Sequence, residues 1–164
     1  MMEDLLAPAS RIGAALKARG QTVAVSESSS GGLIAASLLA VPGASRFFQG
    51  GGVIYTRVAG RALFGIKKED MSGMRSSSEP YARFMAGRVR GLLEADWGLC
   101  ETGAAGPTGN GYGDAAGHTC CAIVSAMVSK SITLETGSAD RVANMRAFAA
   151  AALELLEREL SQTG

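Results

Sequence analysis

The sequence predicts an α/β fold: a single three-layer α/β/α domain over residues 1–164 with a mixed β-sheet. Three observations predict it. Short apolar runs of strand length alternate with helix-period segments over the first hundred residues, an order that makes parallel crossovers. Two strand-like runs then follow one another between 118 and 135, an order that makes an antiparallel pair. Amphipathic helical segments open and close the chain, so each face of the sheet has helices to cover it.

Taken in order, Leu5, Leu6, Ile12, Ala15 and Leu16 fall at near-helical spacing and predict a helix over 3–19, ended by Arg19-Gly20. A buried strand at 21–26 runs through Ser28-Ser29-Ser30-Gly31-Gly32 into a helix from Leu33 to Leu39. Val41-Pro42-Gly43-Ala44 breaks the chain, and Gly50-Gly51-Gly52 precedes a second strand at Val53–Tyr55. Arg57 to Phe64 reads as a short helix stopped by Gly65. Ser78-Glu79-Pro80 supplies a capping hydroxyl, a first-turn acid and a proline where its missing N–H costs nothing. That helix runs to about Leu93, with Tyr81, Phe84, Met85, Val89, Leu92 and Leu93 expected on the core side. Trp97 to Thr102 is the third strand, and Gly103 to Gly117 a glycine-rich loop. Strands at His118–Val128 and Ser131–Glu135 precede a last helix from Asp140 to about Leu160. With strand ends facing helix starts, the loops 26–32, 55–61 and 102–113 are expected to converge.

Composition narrows the function. A formal charge of +1 offers no electrostatic case for nucleic acid or an anionic membrane. The N-terminus lacks the basic and long apolar segments of a secretion signal or membrane anchor. Cys100, Cys120 and Cys121 are odd in number, lack metal-ligand spacing, and read as reduced core residues of a cytoplasmic protein; no metal and no cofactor is expected. On a strand, Cys120 and Cys121 point to opposite faces.

The strongest chemical feature is Glu27 followed by three serines and a glycine pair. A strand entering a helix through such a turn leaves backbone N–H groups unpaired, and the helix dipole favours an anion there. One serine would serve as a cap; three with Gly-Gly suggest a nucleophile as well. The loop from Thr102 to Gly113 runs into a strand and not a helix, so it is not a dinucleotide fingerprint. It is either a flexible hairpin connection or a wall of backbone amides facing a ligand. His118, the only histidine, is a structural residue or a general base. Asp140 suits the start of the last helix, and the Arg141 fork suits a phosphate.

SESSSGG, GGVIYT, TGAAGP and GSADR, in this order, resemble the C-terminal domain of the competence/damage-inducible CinA proteins. That family includes nicotinamide mononucleotide amidohydrolase. Its pattern is roughly AESCTGG, GGxVTYSNEAK, VTGIAGPGGG, PVGTV and GDRxxVR. The resemblance covers nearly the whole chain and extends to Pro42–Ser45 and Ser78–Pro80. It implies hydrolysis of the carboxamide of nicotinamide mononucleotide, releasing ammonia, by a serine activated by a lysine. By that resemblance Ser28, Ser30 and Tyr55 are the catalytic candidates. Gly31, Gly32, Thr102, Gly103, Ala105, Gly106, Pro107 and Arg141 are the substrate-binding ones. The implied partner is a small-molecule nucleotide, with no nucleic acid and no membrane, and the chain is expected to form a homo-oligomer. One departure matters: the pattern's lysine falls on Gly60 and its glutamate on Val58. A replacement base, His118 first and Lys67 or Lys68 next, would keep the chain an enzyme. Without one, it is an inactive paralogue that binds a nucleotide or another phosphate ligand.

Overall fold

The computed structural model describes residues 1–163. In chain order it contains α1 (Glu3–Arg19), β1 (Val23–Glu27), α2 (Leu33–Leu39), β2 (Phe48–Val53), α3 (Arg57–Phe64), α4 (Glu79–Leu92), β3 (Trp97–Ala104), β4 (His118–Val124), β5 (Ser129–Glu135) and α5 (Arg141–Thr163). The sheet order is β2-β1-β3-β4-β5. β1 pairs parallel with β2 and β3, while β3–β4 and β4–β5 are antiparallel. The α/β class and mixed sheet expected from the sequence are therefore present.

Strand alternation builds the two cores. Val23, Val25, Leu99, Cys121 and Ile123 face the side covered by α1, α2 and α5, where Leu5, Ile12, Leu16, Ile34 and Leu153 pack. Ala24, Cys100, Cys120 and Ala122 face the other side, against Met85, Val89 and Phe64. Cys120 and Cys121 thus lie on opposite faces, and all three thiols are free and buried. The α4 side of the sheet carries the smaller residues because α4 sits close: a Cβ on Gly98 would fall 1.9 Å from the Ala86 carbonyl oxygen.

Three expectations change. β2 spans Phe48–Val53 and contains the glycine triplet, where the sequence suggested a strand starting at Val53. Gly51 lies opposite Val25, and a Cβ there would sit 2.2 Å from the Val25 carbonyl oxygen, so glycine is a requirement of the pairing and not a break before it. The β4–β5 turn comes earlier than expected, at 125–128, because the Ser125 hydroxyl accepts the N–H groups of Met127 and Val128. On α4, Met85 and Val89 are buried, but Leu92 and Leu93 are 50% and 38% exposed at the helix end, where Leu93 lies over Gly50 of the edge strand.

Because β1, β2 and β3 run parallel, the segments leaving their C-terminal ends emerge at one edge of the sheet. That edge holds the candidate site.

Candidate functional site

A cleft of about 1410 Å³ opens at this edge and is lined from all three expected loops: Ser28 after β1, Tyr55 to Arg61 after β2, and Thr102, Gly103 and Tyr112 around the end of β3. Most residues from Gly65 to Ser77, between α3 and α4, also line it. Four of the sequence candidates line the cleft: Ser28, Tyr55, Thr102 and Gly103.

Ser30 does not. It is fully buried, and its hydroxyl meets Glu27 Oε1 at 2.7 Å and Glu101 Oε2 at 2.8 Å. Ser29 is also buried and donates to the Gly103 carbonyl at 2.6 Å, tying the first loop to the third. The unpaired N–H groups expected in the serine turn are filled from within. Glu27 accepts from Gly32, Ile34 and Ala35 at 3.1, 3.0 and 2.9 Å, so the anion at the start of α2 is the chain's own carboxyl group. Glu101 Oε2 accepts the N–H groups of Ser28 and Ser30 at 3.0 and 2.8 Å. Sequence reasoning missed Glu101. Its signal was an acid inside an apolar strand, Leu99-Cys100-Glu101-Thr102.

Gly31, Gly32, Ala105, Gly106, Pro107 and Arg141, expected to bind substrate, are not among the residues that line the cleft. A Cβ on Gly31 would fall 2.9 Å from the Met145 Cε atom of α5, and Gly32 starts α2 at a φ of 100°, a left-handed conformation suited to glycine. The Ala105 carbonyl accepts from Asn144 Nδ2 at 2.8 Å; Asn144 also donates to Ser138 and accepts from Thr136. This buried asparagine, a second residue absent from the sequence candidates, pins the third loop to α5. Arg141 is committed to protein partners: one guanidinium nitrogen donates to the Gly106 carbonyl, the other to the Tyr55 hydroxyl at 3.1 Å. It braces the second loop against the third.

The glycine-rich loop is pinned and not a loose connection. Asn110 Oδ1 accepts from Tyr112 and Asp114 backbone N–H groups, and Asp114 takes a bidentate pair from Arg75 at 2.7 and 3.1 Å. The Arg75 guanidinium holds the Asp114 carboxyl below the usual carboxylate range. The Tyr112 hydroxyl is likewise held below the phenol range, first by the Ser76 hydroxyl and then by Arg57 across the cleft.

His118 sits at the base of this loop and is 6% exposed. Its Nε2 meets the Ser77 carbonyl oxygen at 2.8 Å and its Nδ1 meets the Glu135 carboxylate. Both partners are acceptors, so both ring nitrogens act as donors. Burial pulls the imidazole down, but the Glu135 bond, the Ser77 carbonyl and nearby Asp114 together leave it above its ordinary value. A ring donating from both nitrogens has no lone pair for a serine proton, and His118 is not among the cleft residues. The expectation of His118 as substitute base is corrected on that ground.

The wall of the cleft that Ser28 lines is basic. Arg57, Arg61, Lys67 and Lys68 line it, along with Arg75, whose guanidinium is already paired with Asp114, against Glu69 as the sole acid among its lining residues. Such a wall favours an anionic ligand. Gly60 is also in the wall, packed near Ile54 and Ile66, and offers no titratable group. Among the described residues no three His, Cys, Asp or Glu side chains converge as a metal site requires. No helix among them is long and apolar enough to cross a membrane.

Comparisons with known proteins agree with this architecture. The family profile of the CinA C-terminal domain matches residues 6–160. A CinA-like protein of Gloeobacter violaceus is 39% identical over 160 residues, covering 96% of this chain and 37% of the relative. Another, from Myxococcus xanthus, is 39% identical over 88% of this chain and 34% of its own. The chain thus spans little more than a third of the length of these curated relatives. Among solved structures, the competence/damage inducible protein CihA of Agrobacterium tumefaciens superposes with a TM-score of 0.87 at 29% identity, covering 97% of this chain and 96% of its own. A CinA superfamily protein of Klebsiella pneumoniae gives a TM-score of 0.87 at 26% identity, covering 95% and 97%. With nearly its whole length matched by the family profile, the chain belongs to the CinA C-terminal domain family.

Proposed function

We propose that the cleft binds a pyridine mononucleotide of the nicotinamide mononucleotide class, with the carboxamide toward Ser28 and the phosphate on the basic wall. In this proposal the chain is a binding paralogue of the amidohydrolase and does not turn its ligand over. One observation carries the reading: Ser28 lines a cleft with Arg57, Arg61, Lys67 and Lys68, and Gly60, on which the motif resemblance puts the family's lysine, lines the same cleft without a titratable group. A serine hydroxyl is a weak nucleophile until an adjacent base takes its proton. Arginine cannot do so, since the guanidinium stays protonated at working pH. Amide hydrolysis also needs that proton returned to the leaving nitrogen, a second task for the same missing group.

A second reading is supported by Lys67 and Lys68, which line the same cleft as Ser28. Either lysine, moved inward on ligand binding, would restore a Ser–Lys pair and make the chain an amidohydrolase producing nicotinic acid mononucleotide and ammonia. One experiment separates the two. Nicotinamide mononucleotide is added to the protein, and melting temperature and released ammonia are both measured. A higher melting temperature without ammonia supports the binding paralogue. Ammonia that disappears in Ser28→Ala and in a Lys67→Ala/Lys68→Ala variant supports the enzyme. Neither effect removes the mononucleotide as ligand.

A further inference from the structure

Glu27 and Glu101 are each 1% exposed, and their carboxyl groups meet on a single hydrogen, that of the Ser30 hydroxyl. Among the described residues no ion pair involves either of them. Two like charges this close, out of water and without a cation, are strongly disfavoured, and a pair so placed retains a proton. The partners decide where it resides. Glu27 takes three backbone N–H groups at the start of α2, those of Gly32 and Ile34 on Oε1 and that of Ala35 on Oε2, against two on Glu101, and N–H donors at a helix start favour the unprotonated carboxyl group there. Glu101 Oε1 faces Thr119 Oγ1 at 3.0 Å, and that threonine has a second acceptor, the Thr102 carbonyl oxygen, at 3.1 Å. Thr119 can therefore donate onward to Thr102 and accept from Glu101.

We propose that Glu101 works as a neutral carboxylic acid that positions Ser28: Oε1 donates to Thr119, and Oε2 accepts the backbone N–H groups of Ser28 and Ser30. The proposal stands on the turn's geometry and does not require the mononucleotide reading. Burial raises the Glu101 carboxyl, in agreement with it. The groups facing it are Glu27 from β1, Thr119 and Cys121 from β4, and Cys100 and Thr102 on its own strand; none is a cation. Loss of the proton at alkaline pH places a second charge beside Glu27, and the Ser28 turn is displaced. Glu101 is a positioning residue, since it acts on Ser28 through the backbone.

Carbon-13 NMR of protein labelled at the glutamate side-chain carboxyls tests this, with Glu101 assigned by its loss in Glu101→Gln. At neutral pH the resonance is expected at the position of a protonated acid, moving to the carboxylate position as pH rises. The Ser28 and Ser30 amide signals should move with the same midpoint in the wild type and stay fixed in Glu101→Gln. Glutamine has the same acceptor and donor pattern as the neutral acid, so that variant should melt within about 3 °C of the wild type, while Glu101→Ala, which leaves two buried N–H groups unpaired, melts well below it. A carboxylate signal for Glu101 at neutral pH, or a glutamine variant as unstable as the alanine one, overturns the proposal. None of these readouts needs a ligand, so failure of mononucleotide binding would leave them unaffected.

Discussion

Replacing Gly60 with lysine puts an amine at the position where the motif resemblance has the family's lysine, in the same cleft as Ser28. Gly60 lies in α3 with ordinary helical backbone, and a Cβ there meets Ile66 Cδ1 at 3.5 Å and Ile54 Cγ2 at 3.6 Å, normal van der Waals contact. A Cβ at position 60 is therefore accommodated without moving the backbone. Lysine in place of glycine inside a helix adds about 0.5–1 kcal/mol through propensity. Because the Cβ sits between Ile54 and Ile66, any burial of the ammonium would offset that gain and lower the lysine pKa toward the range a general base needs. The net stability of Gly60→Lys should remain within about 1 kcal/mol of the wild type. General-base assistance contributes about 10²–10⁴-fold. Ammonia release from nicotinamide mononucleotide, followed by a coupled assay, is therefore expected to rise at least ~100-fold over the unmodified protein. Adding Ser28→Ala should abolish the gain. A folded Gly60→Lys protein that binds the mononucleotide and releases no more ammonia than the wild type would refute the assignment of position 60 to the base.

Gly51→Ala should destabilise the fold by more than about 2 kcal/mol in urea titration, because its Cβ would lie 2.2 Å from the Val25 carbonyl oxygen and the edge strand must shift. Asn144→Ala strips hydrogen-bond partners from the Ala105 and Ser138 carbonyls and from Thr136; a loss of about 1–3 kcal/mol is expected by the same assay, with faster amide exchange confined to 104–107. His118 is held above its ordinary pKa, so its contribution to stability is complete below about pH 6.5 and is lost as pH rises through the folded-state value. Denaturation midpoints measured from about pH 6 to pH 9 should fall in the wild type more than in His118→Gln; equal slopes would contradict the ion-paired imidazolium.

Much of the architecture was legible because it rests on local rules. Gly20, with a φ of 62°, ends α1 as its position predicts, and the Ser78 hydroxyl accepts the Tyr81 N–H at the start of α4. The convergence of three loops followed from parallel strands ending together. What was not legible depends on tertiary contacts. Gly50-Gly51-Gly52 reads as a breaker until Val25 is known to lie against it. The serine turn reads as an open anion site until Glu27 and Glu101 are found filling it from within. Arg141 reads as a phosphate ligand, yet the fold commits its fork to Gly106 and Tyr55. Asn144 and Glu101, both polar residues in apolar stretches, mark the two points where sequence alone already hinted at an interior network.

The central claim, a mononucleotide cleft without its base, is tested most directly by calorimetric titration of nicotinamide mononucleotide into the unmodified protein, with ammonia assayed on the same sample. The account expects saturable binding at one site per chain that weakens with salt, as a basic wall requires. At a ligand concentration about one hundred times Kd it expects stabilisation of about 2.7 kcal/mol, roughly 5–11 °C in melting temperature. It expects no ammonia. Absence of binding, or ammonia released in step with added mononucleotide, would contradict it.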